Sequence, residues 1–240
     1  MKSIWTITKK ELRSYFDSLI AYVMIVLFLG FSGFFTWLYG SDIFLVGQAS
    51  LRTFFAIAYW TLFFFIPALT MKSIAEERNS GTIELLLTKP LSEWQLVLGK
   101  FFGNFIIIGI ALALTFIYPL TLSNIGNIDA GAVFLGYFGL LLMSAAYISI
   151  GILASSISKN QIVAFLIALF ISLFFHIIFG VISSSSTGWL ADLFYFLDLN
   201  SHFESISRGV LDSKDLIYFL SIMYLGLFFS VSSLIKRNVN

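Results

Sequence analysis

Six long apolar stretches, at about 19–40, 52–73, 101–123, 131–156, 161–182 and 215–235, alternate with short polar ones. Each is close to the roughly 20 residues that carry a helix across a bilayer. They predict an all-α membrane protein with six transmembrane helices. Ahead of them, Ile4, Trp5, Thr8, Leu12, Tyr15, Phe16 and Leu19 recur at three- and four-residue spacing while Lys9, Arg13 and Asp17 line another side, the pattern of an interfacial helix over 1–18 with its apolar side in the headgroups. The run from Leu19 to Tyr39 is too long for a signal core and no A-x-A site follows, so it reads as an uncleaved first span.

The polar interruptions are unequal. Lys72 to Lys100 is the longest in the first half and holds four of the 14 Lys+Arg and four of the 13 Asp+Glu, eight of 27 charges. Ala75, Glu76, Glu77 and Arg78 are expected to extend the preceding span into solvent. Asn79-Ser80-Gly81 is a turn cluster. Thr82 to Leu87 restarts a short helix with Glu84 in its first turn and Ile83, Leu86 and Leu87 on one face, and Pro90 stops it. Ser92 and Gln95 form a capping box for the next helix, with Leu91 and Leu96 placed for a hydrophobic staple. The outer interruption, 183–214, carries an apolar stripe of Leu190, Leu193, Phe194 and Leu197, but the stretch 188–215 holds five acids, so it is expected at or in the outer leaflet. Pro67 and Pro119 sit near span ends as bends or passive kinks, and Gly99-x-x-x-Gly103 is a weak signal for close helix approach.

Charge orients the chain. With both termini inside, Lys2, Lys9, Lys10, Arg13, Lys72, Arg78, Lys89, Lys100, Lys159, Lys236 and Arg237 are cytoplasmic and only Arg52, Arg208 and Lys214 are outside, 11 against three of the 14. Acidic residues divide six to seven, so the asymmetry belongs to the basic residues, as the positive-inside rule expects. A composition that is 59% hydrophobic and 11% charged, with mean hydropathy +0.95, lies far from the roughly 25% charge of soluble domains. Net charge +1 points away from a nucleic-acid partner, and the lack of Cys excludes disulfides and thiol catalysis. No G-x-x-x-x-G-K-[ST] loop occurs, so ATP is not cradled here in that manner. His176 is the one group within the spans that titrates near neutrality and reads as a hydrogen-bonded interior residue rather than a ligand.

The order Glu76, Glu77, Arg78, Gly81, Thr82, Glu84, Leu85, Leu86, Leu87, Thr88, Pro90, Gly99, Lys100, Phe101 resembles the cytoplasmic coupling region of type-2 ABC exporter permeases. The run from His202 to Phe219 resembles the outer segment of a subset, the gliding-motility-associated permease subunit of Bacteroidetes foremost and the copper-maturation transporter permease beside it. The resemblance implies a non-catalytic permease subunit in a bacterial inner membrane. Its domain order would be spans 1 and 2 over 19–73, a coupling region over 74–100, spans 3 to 5 over 101–182, an outer lid over 183–214, and span 6 with a cytoplasmic tail over 215–240. It also implies an ABC ATPase partner in two copies that binds ATP and Mg, no cofactor on this chain, and a second permease subunit, same or different. The residues it marks are Glu76, Glu77, Arg78, Gly81, Thr82, Ile83, Glu84, Leu85, Leu86 and Leu87 for coupling, and Trp189, His202, Phe203, Arg208 and Gly209 for the lid. A non-transporting anchor or assembly subunit of a motility or secretion machine fits the same residues; cargo is not legible.

Overall fold

Backbone polar groups have no water to bond in hydrocarbon, so only helices or closed barrels can span it. The computed structural model describes residues 2–38, 50–82 and 91–238, and every regular element among them is helical. Six helical segments are long and apolar enough to cross a membrane: Ile20–Trp37, Arg52–Asn79, Glu93–Ile125, Ala130–Ile157, Gln161–Ser185 and Ser213–Lys236. In chain order the elements are α1 (Lys2–Asp17), α2 (Ile20–Trp37), α3 (Arg52–Thr70), α4 (Ala75–Asn79), α5 (Glu93–Leu114) and α6 (Ile117–Ile125). They continue as α7 (Ala130–Ile157), α8 (Gln161–Leu173), a π-helical turn (Phe174–Ile178), α9 (Phe179–Ser185), α10 (Trp189–Leu197), α11 (Leu199–Ser207) and α12 (Ser213–Asn238).

The fourth span, α7, is the axis, packed against α3, α5, α8, α11 and α12. Small residues let the neighbours approach it closely. A Cβ on Gly136 would stand 2.3 Å from the Phe55 ring, and one on Gly151 would stand 1.9 Å from Thr70 Oγ1. On the opposite side the roles reverse: Gly226 of α12 admits Ser149, whose Oγ lies 2.6 Å from where a Cβ would be. Both ends of α7 are set by short turns, as expected. Asp129 Oδ1 accepts from the N–H groups of Gly131 and Ala132 at 2.9 and 3.1 Å, and Asn160 Oδ1 opens α8 by accepting from Ile162 N–H at 2.8 Å.

The third span differs from expectation. It starts at Glu93 rather than about 101, on a capping box in which Ser92 and Gln95 exchange backbone-to-side-chain bonds of 3.3 Å. It also breaks between α5 and α6, four residues before Pro119. Proline has no N–H to return to Thr115 C=O. That carbonyl instead accepts from Tyr118 N–H at 2.9 Å and lies 3.0 Å from the Tyr137 hydroxyl.

Helix α1 packs along α5, and the glycine pair at 99 and 103 is the seam. Cβ atoms there would lie 2.6 Å from Ile7 Cβ and 2.7 Å from Glu11 Cβ. The weak sequence signal therefore marks a real contact. The protein-facing side of α1 is Ile7, Thr8, Glu11 and Tyr15, so the apolar stripe divides: Thr8 and Tyr15 turn inward while Trp5 and Leu19 stay exposed.

Filling the α7 seam should be costly. Gly151→Val is expected to lower the apparent melting temperature in detergent by an amount equivalent to about 1–3 kcal/mol of overpacking. Gly30→Ala, with nothing within 4 Å of the new methyl, should be neutral or raise it by up to about 1 kcal/mol of helix propensity. Intrinsic fluorescence during heating reads both.

Candidate functional site

Two stretches of chain leave and re-enter the bundle around the segment 83–90, and both are tied at the root. The exit is anchored first by Ser155 of α7. Its Oγ accepts from the backbone N–H groups of Ile74 and Ala75, each at 2.9 Å, and donates to Met71 C=O at 2.9 Å. These bonds satisfy the backbone where the second span turns into α4. Arg78 Nη1 donates to Ser156 C=O one residue further along α7. Ala75 is buried and Glu77 and Arg78 are half-buried, so of the four residues expected to reach into solvent only Glu76 does. The reason is this pair of serines, whose polarity in an apolar helix the spacing of charges did not reveal.

The re-entry is anchored by Lys100. Its side chain is 1% exposed, and its Nζ lies 2.7 Å from Glu11 Oε1 of α1 and 2.9 Å from Glu77 Oε2 of α4. The contact to Glu11 is a hydrogen bond, whereas the approach of Glu77 is an ion pair whose angles fall short of one. Lys10 adds an outer contact to Glu77 at 3.5 Å. A buried ammonium is tolerated only when paired and bonded, and here the two carboxylates come from two other segments. One side chain thus fastens α1, α4 and α5 together.

One layer deeper, the Tyr15 hydroxyl stands 2.9 Å from Leu69 C=O and 2.8 Å from Asn104 Oδ1. The Asn104 amide donates to Ser73 Oγ at 3.1 Å and to Lys100 C=O at 2.8 Å. Burial, then the nearby Glu11 carboxylate, pushes the Tyr15 phenol well above its ordinary value, so it remains a neutral donor. Lys72 covers its ring with Nζ 4.2 Å from the centroid. Glu11, Tyr15, Lys100 and Asn104 were missed as site residues in the sequence. Lys100 reads in the sequence as a cytoplasmic charge within the Gly99-Lys100-Phe101 step of the coupling-region resemblance, and its burial there depends on α1 and α4.

Gly81 adopts φ +71°, as the turn reading requires, and Thr82 Oγ1 meets Ser80 Oγ at 2.9 Å. Ile83, Glu84, Leu85, Leu86 and Leu87, with Thr88, Lys89 and Pro90, lie outside the described residues.

At the opposite end of the bundle lie α10 and α11, the segment expected from the sequence to be the outer one. His202 faces Asp215 Oδ1 of α12 at 2.6 Å with Nδ1 and Phe196 C=O at 2.9 Å with Nε2. Phe203 stacks on Tyr59 of α3, centroids 5.0 Å apart. Arg208 pairs with Glu204, and Gly209, at φ +92°, lies against Ala132 of α7. These four gather over the ends of α3, α7 and α12. Trp189 stands apart, 71% exposed.

His176 lies between the middle of the bundle and the α10–α11 end. It lies in the π turn, its Nδ1 2.6 Å from the Tyr147 hydroxyl, stacked between Tyr59 at 4.1 Å and Phe63 at 4.3 Å. Phe63, His176, Tyr59 and Phe203 thus form one column of rings from the middle of α3 to the outer segment. The interior, hydrogen-bonded reading of His176 describes its surroundings. Among the described residues no group of three or more His, Cys, Asp or Glu is placed to hold a metal.

Two measurements follow from these contacts. Lys100→Met leaves Glu11 without its ammonium and Glu77 with only the exposed Lys10, and should cost about 3–5 kcal/mol of apparent stability. Glu11→Gln, which keeps the Glu77 pair, should cost less, about 1–3 kcal/mol. Thermal unfolding separates them. The second concerns Asp198, which caps α11 by accepting from Ser201 N–H at 2.9 Å. Burial raises its carboxyl above the ordinary 3.8. Since the folded value exceeds the unfolded one, its stabilising contribution is complete below about pH 3.8 and is lost as pH rises through the folded value. Asp198→Asn retains a cap and should flatten the fall in melting temperature expected of the parent as pH rises above about 4.

The family described as ABC-2 family transporter protein matches residues 44–235. A protein of Pseudomonas aeruginosa named "Probable ABC transporter permease protein NosY" is 30% identical over 151 residues, 60% of this chain and 54% of that relative. A protein of Escherichia coli named "Probable multidrug ABC transporter permease YbhR" is 26% identical over 147 residues, 60% of this chain and 39% of that relative. The match thus spans about half the length of the first relative and less of the second. With 192 of 240 residues inside the family match and six helices fit to cross a membrane, the chain belongs to the ABC-2 transporter family as a multi-pass membrane protein.

Proposed function

We propose that this chain is the permease subunit of an ATP-driven export complex, and that 83–90 is the element on which a separate ATPase subunit pushes. The observation that carries this is the fastening of both ends of the segment. Glu77 before it and Lys100 after it meet at 2.9 Å, with Glu11 of α1 on the same ammonium. A load applied between them cannot move one span alone; it moves α3, α5 and α1 as a unit. Family membership and the two relatives' printed names as permeases support the same reading.

The division of labour among the expected coupling residues changes with the structure. Glu77 and Arg78 have partners inside this chain, so they act as braces. Glu76 and Thr82, both exposed, are left to touch the ATPase beside the apolar face of Ile83, Leu86 and Leu87. ATP and Mg are bound by that subunit, in two copies facing a permease pair of like or unlike chains. The load then passes up α3, whose Phe63 and Tyr59 clasp His176, to Phe203 in the outer lid. Both termini are cytoplasmic in this arrangement, in a bacterial inner membrane. Work in gliding motility is the particular role favoured by the pattern of 202–219.

The test is reconstitution with the ATPase that co-purifies with a C-terminally tagged chain. Gly81→Pro forces a backbone held at φ +71° toward about −65°, and Glu84→Lys reverses a charge on the contact. Both variants should insert in parental amounts and lose about tenfold in permease-stimulated ATP turnover, equivalent to about 1.4 kcal/mol of coupling. Trp189→Ala, at the far end, should retain it. Full coupled turnover in both variants, or a chain that purifies with no nucleotide-binding subunit, overturns the proposal.

A further inference from the structure

A cavity of about 720 Å³ lies between the start of α3, the turn before α7, and α11. Its size is that of a site for a small molecule or part of a lipid, for which about 300–1,000 Å³ is usual. Its deep wall is aromatic: Phe55, Tyr59 and Trp60 of α3 and Phe203 of α11. Its rim carries Arg52, Arg208, Glu204 and Asp129. Trp60 keeps 46% of its surface free on the apolar exterior of the bundle, so the aromatic wall continues onto the surface that acyl chains cover.

The charges at the rim are balanced, two guanidinium groups against two carboxylates, and Arg52 is only loosely engaged. Glu204 is held closely by Arg208 but only at 3.9 Å by Arg52, whose side chain is 81% exposed. Asp129 spends one oxygen on the N–H groups that open α7. A purely anionic head would meet Glu204 and Asp129 as well as the arginines. A head carrying both signs suits all four: phosphate toward the arginine forks, ammonium toward Glu204 and Asp129 and against the exposed Trp60 ring. We propose that this cavity is a binding site for an amphiphile with a zwitterionic phosphate–ammonium head of the phosphoethanolamine class, its chain running out along Trp60 into the outer leaflet. The site stands on the outer-end geometry and is independent of the ATPase.

The full chain, purified in mild detergent and stripped of lipid, is titrated with dioleoyl phosphatidylethanolamine, phosphatidylglycerol and phosphatidylcholine and bound lipid is counted by native mass spectrometry. Phosphatidylethanolamine should bind about tenfold more tightly than the other two. Glu204→Gln makes the rim net positive and should reverse the order in favour of phosphatidylglycerol. Arg52→Ala with Arg208→Ala should abolish discrimination while leaving a monodisperse protein of parental melting temperature. Chain-free phosphoethanolamine at equal concentration should not displace the lipid. Equal affinity for all three lipids, an unchanged order in Glu204→Gln, or full displacement by phosphoethanolamine alone would each overturn the assignment.

Discussion

An ammonium group withdrawn from water must find its counter-charges inside the protein, and the inner end of this bundle is arranged around that requirement at Lys100. The lysine enters on α5, yet Glu11 comes from α1 and Glu77 from the short helix α4. Each carboxylate is drawn to the same ammonium, so α1 is held along α5 and α4 is held back against them. The glycines at 99 and 103 make the approach sterically possible. The ion pairs then decide which approach is taken, because an apolar seam alone would tolerate sliding by a turn.

The axis helix obeys a different constraint. With hydrocarbon outside and protein inside, the hydrophobic effect distinguishes poorly between neighbours, and close van der Waals packing has to select them. Gly136 and Gly151 give α7 shallow notches that Phe55 and Thr70 occupy, and Ser149 of α7 in turn occupies the notch at Gly226 of α12. The inner ion pairs and the outer His202–Asp215 contact close the two ends of a stack that is otherwise held by shape.

Span number was legible because length and hydropathy are properties of a single helix. The capping box at Ser92 was legible for the same reason, and so was the turn at Gly81: each depends on residues within four positions. What could not be read depends on partners far away in the chain. Ser155 and Ser156 look like ordinary small residues of a membrane helix until Ile74, Ala75 and Arg78 come to them. Lys100 reads as a rim charge until α1 covers it. Pro119 was seen as a bend, but the position of the break was set by the carbonyl it abandons and by Tyr137, which serves that carbonyl from another span. The apolar spacing of α1 suggested lipid on one side, whereas its inward side is a mixed set, Ile7, Thr8, Glu11 and Tyr15, that only α5 and α3 explain.

The π turn at Phe174–Ile178 bears on how such chains diverge. One surplus residue in a helix advances everything beyond it by about 100° in azimuth, so α9 presents different side chains to its surroundings than an uninterrupted continuation of α8 would. The aromatic clasp on His176 holds that surplus at a fixed height. Comparison of this span by ungapped hydropathy with a helix lacking the turn would run out of phase past residue 178, and a single-codon insertion or deletion here would re-aim the last third of the helix without altering its length by more than one rise.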